Sequence, residues 1–325
     1  MKNILTTKEL GELLLKTQKE RQENPELWQG LPFGHVDLDR DTGGARRGEL
    51  IVIAGAQKIG KTTYTKNVAM SFAKQLMVNE VEENILFISL EMGHQSLGAK
   101  IFANEANIDI TRFRDYELDP GDFARLKVTV EAYEELPALW DTGTYSYEEL
   151  LRVIQHFNQD NLEVNPIRAI VLDYFQLFSS KGLQSSPARH EQLSALSRAL
   201  KQLARKQQIS VIVLSQQSRE ALKSFKRRKD PNTMAGTQAL VRDCDLLIMI
   251  LEKFDDDKEE IPHMRELYVG LSRNSRADMS YDTVFIGKYA RTGAPFGDHE
   301  GDINHLEQTP EPAAEQLGWW NKDDN

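Results

Sequence analysis

A glycine-rich stretch near residue 55 carries the strongest chemical pattern in this 325-residue sequence. Its glycines and its lysine follow the order of a phosphate-binding loop, in the segment Gly55-Ala56-Gln57-Lys58-Ile59-Gly60-Lys61-Thr62-Thr63. In such a loop the backbone N–H groups point at phosphate oxygens, the Lys61 ammonium reaches the β- and γ-phosphates, and the Thr62 hydroxyl is a ligand for Mg²⁺. The alternative is a chance glycine-rich turn, but an apolar run ends at Ala54 and an amphipathic segment begins at Thr62, as the loop requires. The segment predicts ATP or another nucleoside triphosphate, together with Mg²⁺, as cofactors.

Three polar residues each follow a short apolar run: Glu91, Asp173 and Gln216. Because ligands bind at the carboxyl ends of the strands in open α/β sheets, we expect these side chains to face one crevice. Asp173 could hold Mg²⁺ directly or through water, Glu91 could orient or deprotonate an attacking water, and Gln216 could sense the γ-phosphate. Ordinary helix-cap or turn chemistry would explain any one of them alone. Together they predict one catalytic site with Lys61.

Two basic segments are candidates for contact with nucleic acid. The first spans 219–229 and interleaves Phe225 with basic side chains, five of which are candidate DNA contacts: Lys223, Lys226, Arg227, Arg228 and Lys229. The second spans 179–189 and contributes Arg189. A basic loop that follows a nucleotide sensor could couple the state of the phosphates to a grip on a DNA backbone. A solvated run of charge is the alternative for each residue.

Alternating strand-like and helix-like segments must position these groups. Apolar runs rich in Val, Ile and Leu occupy 50–54, 85–90, 167–172, 209–214, 246–251 and 267–271, and amphipathic segments separate the first four. This alternation predicts an α/β fold with a mostly parallel central sheet flanked by helices, which a hairpin including 283–288 extends. The stretch 30–48 has no sustained period, so we predict a loop there.

The two ends of the chain differ from this core. Residues 1–30 predict a helical arm with a narrow apolar stripe formed by Leu10, Leu13 and Leu14. Such a stripe needs a surface to dock on, either on the same subunit or on a neighbouring one. Residues 31–300 form the predicted motor domain, and 301–325 form an acidic tail that we predict to be flexible.

Composition excludes several other classes of protein. Apolar residues make up 40% and charged residues 28% of the chain, as in ordinary soluble globular proteins. The single cysteine, Cys244, allows neither a disulfide framework nor a zinc module. The sequence has no run of about 18 apolar residues, so it predicts no membrane-spanning helix. Lys8 and Glu9 lie where a signal peptide needs its apolar stretch, so we expect a cytoplasmic protein. The net charge of −10 argues against a wholly basic surface but permits a local basic groove.

In order and spacing, the motifs resemble those of the RecA-like motor domain of DnaB-type replicative DNA helicases, over 31–290. Besides the phosphate loop, the motifs are Ser89-Leu90-Glu91-Met92, Asp173-Tyr174-Phe175-Gln176-Leu177, Leu214-Ser215-Gln216 and Arg242-Asp243-Cys244-Asp245-Leu246. The resemblance implies a RecA-like P-loop NTPase in a ring, usually hexameric, that hydrolyses ATP at subunit interfaces and translocates 5′ to 3′ on single-stranded DNA. It also implies that Glu91 activates the attacking water and that Asp173 helps to bind Mg²⁺. The short segment before the motor implies a compact phage- or plasmid-type form, whose opening helix stands in for a linker helix docked on a neighbour.

The resemblance further assigns an arginine finger from the adjacent subunit to Arg273, although an ordinary surface arginine is the alternative. The sequence departs from the family pattern at Leu271, where a lysine is usual, and at Ser275, where a glycine is usual. Arg276 or Lys288 could compensate. The family's DNA loop is also altered, since its usual Arg-Glu-Ser-Gly is replaced at 235–238, and we therefore expect a different grip on DNA.

Two alternatives from other classes stay open. One is a RecA-like recombinase that forms filaments on DNA, and the other is a regulatory ATPase that does not translocate, motivated by Leu271 and the altered DNA loop. The expected partners are single-stranded DNA and further copies of the chain. A primase, a helicase loader and a single-strand-binding protein are additional candidates.

Overall fold

The computed structural model describes residues 4–160, 165–178, 188–217, 228–233 and 238–293. The α-helices in these residues are α1 (Thr7–Glu23), α2 (Pro25–Trp28), α3 (Val36–Thr42), α4 (Lys61–Val78), α5 (His94–Glu105), α6 (Ile110–Arg114), α7 (Pro120–Ala132), α8 (Tyr147–Gln155), α9 (Arg189–Gln207) and α10 (Gln238–Asp243). The strands are β1 (Leu50–Gly55), β2 (Asn84–Ser89), β3 (Ala138–Asp141), β4 (Ile167–Asp173), β5 (Ser210–Gln216), β6 (Leu246–Phe254), β7 (Glu260–Ser272), β8 (Met279–Ile286) and β9 (Arg291–Gly293).

These strands form one mixed sheet in the order β3-β2-β4-β5-β1-β6-β7-β8-β9. The strands from β3 to β6 in this order pair in parallel, and β7, β8 and β9 then add antiparallel neighbours. All six residues of β1 are buried, as an uninterrupted apolar strand in the middle of a parallel sheet requires. The predicted mostly parallel sheet with a terminal hairpin is confirmed.

Helices cover both faces of the sheet. Ile51 and Ile53 of β1 face a core that includes the buried side of α4, whereas Leu50 and Val52 face a second core that includes α8 and α9. Because successive side chains of a strand point to opposite faces, the continuous apolar run of β1 supplies both cores. The predicted α/β fold with helices on both faces is therefore confirmed.

Two short elements correct the sequence-based expectation. The stretch predicted as a loop contains α3, whose entry is fixed by the Asp39 carboxylate, which accepts the backbone N–H groups of Phe33 (2.6 Å) and His35 (3.0 Å). Gly43, with φ of 75°, ends the helix. The two outermost strands of the sheet, β3 and β9, were also not predicted, because each is too short to show a periodic pattern in the sequence.

The first helix, α1, has no buried residue. The three leucines of its predicted apolar stripe are 51–58% exposed: Leu10, Leu13 and Leu14. The structure therefore leaves this stripe uncovered within the described part of the chain. No described helix is both long and apolar enough to cross a bilayer.

Candidate nucleotide site

The phosphate loop, residues 55–62, connects the end of β1 to the start of α4. Lys58 and Gly60 have left-handed backbones, with φ of 65° and 104°. A Cβ atom on Gly60 would lie 2.5 Å from a ring carbon of Phe285, so both the backbone conformation and the close packing require glycine. Ala56 and Ile59 are buried and anchor the loop. The partial positive charge at the N-terminus of α4 consequently faces the loop.

The side chain of Lys61 folds over this loop. Its Nζ donates hydrogen bonds to the carbonyl oxygens of Gly55 (3.1 Å) and Ala56 (2.7 Å). Burial lowers the pKa of Lys61, and the nearby carboxylates of Asp173 and Glu91 oppose that shift. The ammonium group thus lies between the loop and two carboxylates, where a triphosphate would compete with the two carbonyls for it.

Asp173 and Thr62 form a pair suited to a divalent cation. The Thr62 hydroxyl lies beside the buried Asp173 carboxylate, whose Oδ2 atom has no hydrogen-bond partner among the described residues. Burial raises the pKa of Asp173 to about 6; the neighbouring Thr62 hydroxyl opposes this shift, and the charge of Glu91 adds to it. A carboxylate oxygen without a donor, next to a hydroxyl, fits Mg²⁺, which takes oxygen ligands from one or two side chains, phosphates and water.

The ends of four adjacent strands, β2, β4, β5 and β1, assemble this site. Glu91 follows β2, Asp173 ends β4 and Gln216 ends β5. The Leu90 backbone N–H donates to the Asp173 carbonyl oxygen (2.7 Å), which places the segment containing Glu91 beside β4. Gln216 pairs in register with Gly55, where the loop begins. The structure therefore brings the predicted metal, water and sensor residues to the edge of the sheet that carries the loop.

Arg273 lies at the edge of the sheet formed by the other ends of the strands, opposite the phosphate loop. Its backbone N–H donates to the carbonyl oxygen of Asp245, whose own N–H donates to Leu50 at the start of β1, both at 2.8 Å. Lys61 follows the other end of β1, and a strand of six residues spans about 20 Å. Arg273 therefore cannot reach the phosphate loop of its own chain.

Two residues could compensate for Leu271, and the structure describes both. Lys288 follows β8 at the edge that carries the phosphate loop, and its ammonium lies over the Tyr289 ring. The positive charge of Arg276 acts on the carboxylate of Asp41 in α3. Lys288 and Arg273 therefore occupy opposite edges of the sheet, and compensation for Leu271 by Lys288 or Arg276 stays a prediction.

A basic depression surrounds Arg273 instead, with a volume of about 260 Å³. We use the name basic depression for the space lined by Arg198, Lys201, Gln202, Arg205, Arg242, Asp243 and Arg273. The residues from α9 follow the spacing i, i+3, i+4 and i+7, which places them on one face of the helix. That spacing is a readable signal in the sequence, but a search for continuous basic runs does not find it.

The predicted DNA contacts are only partly described. Lys223, Lys226 and Arg227 lie outside the described residues. Arg228 is 6% exposed; its guanidinium donates to the Glu252 carbonyl oxygen (2.7 Å) and packs over the Phe254 ring. This burial argues against the predicted DNA contact by Arg228.

Lys229 and Arg189 are described and more accessible. Lys229 has a side chain that is 44% exposed, and its Nζ pairs with a Glu266 carboxylate oxygen at 2.6 Å. Arg189 is exposed at the start of α9 and donates to the Gln176 carbonyl oxygen (2.6 Å). Arg189 therefore ties the start of α9 to the segment that follows Asp173.

A mostly parallel sheet with a phosphate loop after its central strand, and acidic residues at the ends of neighbouring strands, defines a phosphate-loop ATPase fold of the RecA-like type. The family model for the DnaB-like helicase C terminal domain matches residues 30–293. The chain therefore belongs to the DnaB-like helicase C-terminal domain family.

Individual relatives agree with this membership. The chain is 30% identical over 277 residues to a probable replicative DNA helicase of Trieres chinensis, covering 84% of this chain and 59% of that protein. It is 28% identical over 262 residues to the replicative DNA helicase DnaB of Geobacillus stearothermophilus, covering 80% and 55%. This chain thus spans little more than half the length of these relatives.

Two solved structures share the fold. The ATPase domain of a phage protein superimposes with a TM-score of 0.76 at 21% identity, covering 88% of this chain and 98% of that domain. A DnaB-like replicative helicase, studied for its interactions with primase, superimposes with a TM-score of 0.72 at 21% identity, covering 87% of this chain and 66% of the other.

Proposed function

We propose that this chain is the ATP-hydrolysing motor of a replicative DNA helicase, which works as a ring and translocates 5′ to 3′ on single-stranded DNA. The observation that supports this most strongly is the convergence of Lys61, Thr62, Asp173 and Glu91 at one edge of the sheet. We infer the DNA substrate from the relatives that are named as replicative DNA helicases. The direction of movement comes from the family resemblance alone.

In this proposal the phosphate loop binds the triphosphate. The backbone N–H groups of the loop cradle the phosphates, and Lys61 exchanges its two carbonyl contacts for the β- and γ-phosphates. Thr62 and Asp173 would hold Mg²⁺, which when bound neutralises charge on the β- and γ-phosphate oxygens. The buried position of Asp173 keeps water away from this carboxylate and strengthens its attraction for a cation.

Hydrolysis then requires a water in line with the γ-phosphorus. Glu91 is exposed beside Asp173, so its carboxylate can accept a proton from that water. As the new P–O bond forms, the bond between the γ-phosphorus and the β–γ bridging oxygen breaks, and ADP carries away the electron pair. Gln216 ends the strand between β4 and β1 in the sheet order and is placed to respond to the loss of the γ-phosphate.

The opposite position of Arg273 supports action between copies. A head-to-tail contact would place Arg273 of one copy beside the phosphate loop of the next, and such contacts close into a ring when their rotation allows. There the guanidinium would stabilise charge on the γ-phosphate in the transition state. The uncovered leucine stripe of α1 supplies a further contact to a neighbouring copy.

For DNA contact we propose Arg189 together with Lys223, Lys226, Arg227 and Lys229. Arg189 is exposed and anchored next to the catalytic segment, so it can link the nucleotide site to a DNA backbone. A primase is a proposed partner by analogy with the DnaB-like helicase that was studied with primase. A helicase loader and a single-strand-binding protein are proposed on the resemblance alone.

Hydrolysis and unwinding by the purified chain test this function. We expect single-stranded DNA to stimulate ATP hydrolysis, and a forked duplex with a free 5′ tail to be separated faster than one with a 3′ tail only. Lys61→Ala should abolish both activities. Hydrolysis without strand separation would favour the regulatory ATPase, and open filaments on DNA instead of closed particles would favour the recombinase.

A further inference from the structure

The basic depression combines residues from three separate parts of the chain. Arg198 and Arg205 project from α9, Arg242 is in the last turn of α10, and Arg273 follows β7. The Arg273 guanidinium donates to the carbonyl oxygens of Cys244 (2.9 Å) and Arg242 (2.6 Å). The guanidinium group of Arg273 is therefore fixed against the end of α10.

Two carboxylates in and beside the depression pair with its cations. The Asp245 carboxylate pairs with Lys201 and lies 3.9 Å from the Nε atom of Arg273. The Asp243 carboxylate accepts a hydrogen bond from Ser197 (2.7 Å) and lies 3.4 Å from the Nε atom of Arg242. Five cationic side chains therefore face two carboxylates, which leaves about three formal positive charges in a small open space.

Leu271 does not contribute a charge here. Its side chain packs against the apolar core that also contains Leu240 and Leu247. Arg273 lies two residues further along the chain, just past the end of β7. A cation at position 271 is thus absent from this chain, while Arg198 and Arg242 lie in the same depression as Arg273.

We propose that Arg198 and Arg242 join Arg273 in binding the triphosphate held by the phosphate loop of a second copy of this chain. This inference rests on the proposed function and deepens it. At the interface between two copies, these two arginines supply positive charge in place of the lysine that is usual at position 271. They contact the phosphate oxygens through planar guanidinium groups, which match phosphate geometry.

The shape and chemistry of the depression favour a triphosphate over a DNA strand. Among the described residues that line it, none carries an aromatic side chain on which a base could stack, and its volume of about 260 Å³ suits a few phosphate groups better than a length of strand. It also lies at the edge of the sheet opposite the phosphate loop of the same chain, where a head-to-tail neighbour presents its own loop.

Single variants give the first test. We expect Arg242→Gln and Arg198→Gln each to lower the kcat of DNA-stimulated ATP hydrolysis by about tenfold or more, with little change in KM or in the affinity for single-stranded DNA. Lys206→Gln is the matched control, because Lys206 is on the same helix but does not line the depression. Wild-type kcat in the two arginine variants would overturn the proposal. Lost DNA affinity with unchanged kcat would assign the depression to DNA instead.

A mixing experiment tests the contribution from the second copy. The Lys61→Ala chain lacks a working phosphate loop but keeps both arginines, whereas the Arg198→Gln/Arg242→Gln chain keeps its loop. We expect each to be inactive alone and a mixture to regain part of the hydrolysis, because a mixed interface combines one good loop with one good depression. Mixed particles without any regained hydrolysis would overturn the proposal.

Two readouts separate this proposal from its alternatives. Circular dichroism shows whether each variant folds. Arg242→Lys keeps the charge but loses the planar group, so it should retain an intermediate kcat, and it serves as the test if Arg242→Gln fails to fold. If the unmixed Lys61→Ala chain still hydrolysed ATP, the proposed function itself would be refuted. Loss in Lys61→Ala with no effect of the arginine variants would refute only the role of the depression.

Discussion

The Thr62 hydroxyl lies beside the Asp173 carboxylate, one oxygen of which is buried without a hydrogen-bond partner among the described residues. This contact joins the helix after the phosphate loop to the end of β4, two strands away from β1 in the sheet. A buried carboxylate oxygen without a donor costs folding free energy unless a cation or water satisfies it. In the proposed function, the Mg²⁺ that accompanies the nucleotide would satisfy this oxygen.

Asp173→Asn should remove the effect of Mg²⁺ on nucleotide binding, because it replaces the anionic ligand by a neutral amide. We expect a fluorescent ATP analogue to bind the variant with the same affinity with and without Mg²⁺, and hydrolysis to fall by about 100-fold. Asp141→Asn is the control, since Asp141 ends β3 but accepts the Gly143 N–H at 2.6 Å. Tighter binding with Mg²⁺ in the Asp173 variant, as in the wild type, would exclude Asp173 as the metal ligand.

Glu91→Gln should separate binding from turnover. The amide cannot accept the proton of the attacking water, but it leaves the phosphate loop unchanged, so nucleotide affinity should stay within about twofold while turnover falls by about 100-fold. Glu82→Gln, at the other end of the segment that forms β2, is the matched control. Steady-state hydrolysis and equilibrium binding measure the two effects. Unchanged turnover would remove Glu91 from the mechanism.

The leucine stripe of α1 gives a prediction about assembly. Serine at positions 10, 13 and 14 should lower the mass of the assembled particle in light scattering, because it removes apolar area that a neighbouring copy would bury. Leu15→Ser is the control, since Leu15 is also exposed on α1 but lies off the stripe. The thermal unfolding of the single chain should not change, because these side chains are exposed. An unaltered mass in the triple variant would assign α1 another role.

The edge of the sheet that carries the proposed nucleotide site was predictable from sequence, because each of its residues follows a local pattern. Three largely apolar runs end at Ala54, Leu90 and Leu172, and the residues with functional side chains follow these ends. The carboxyl ends of parallel strands then meet at one edge, so the positions of Asp173 and Glu91 follow from the fold.

The remaining features depend on contacts between distant parts of the chain. Arg228 is buried by the Phe254 ring and the Glu252 carbonyl oxygen, which its own neighbours in sequence do not reveal. The short helix α3 depends on backbone N–H groups that converge on Asp39. The basic depression combines α9, α10 and the end of β7, so only its α9 face was visible in the sequence.

Lys66 on α4 links stability to pH. Burial lowers the pKa of Lys66 from 10.5 to about 7, and the charge of Glu105 opposes the shift. Between these values the unfolded chain binds a proton that the folded chain has lost, so this group makes the free energy of unfolding rise with pH from about 7 to 10.5. Below pH 7 the burial cost of the charged lysine is present in full.

Lys66→Met should therefore stabilise the fold by about 2 kcal/mol near pH 7 and remove that rise. Glu105 keeps its partners Lys74 (2.8 Å) and Tyr133 (2.6 Å), so its carboxylate is not left alone. Urea unfolding at pH 6.5 and pH 9 measures both effects. The same increase with pH in the variant and in the wild type would show that another group is responsible.

The central claim is that ATP is held at one edge of the sheet and hydrolysed only when a second copy completes the site. Specific hydrolysis per chain, measured across protein concentration together with particle mass and with single-stranded DNA present, tests it most directly. We predict that activity per chain rises in step with the fraction of chains in multimeric particles. Full activity in samples whose mass is that of a single chain would contradict the account.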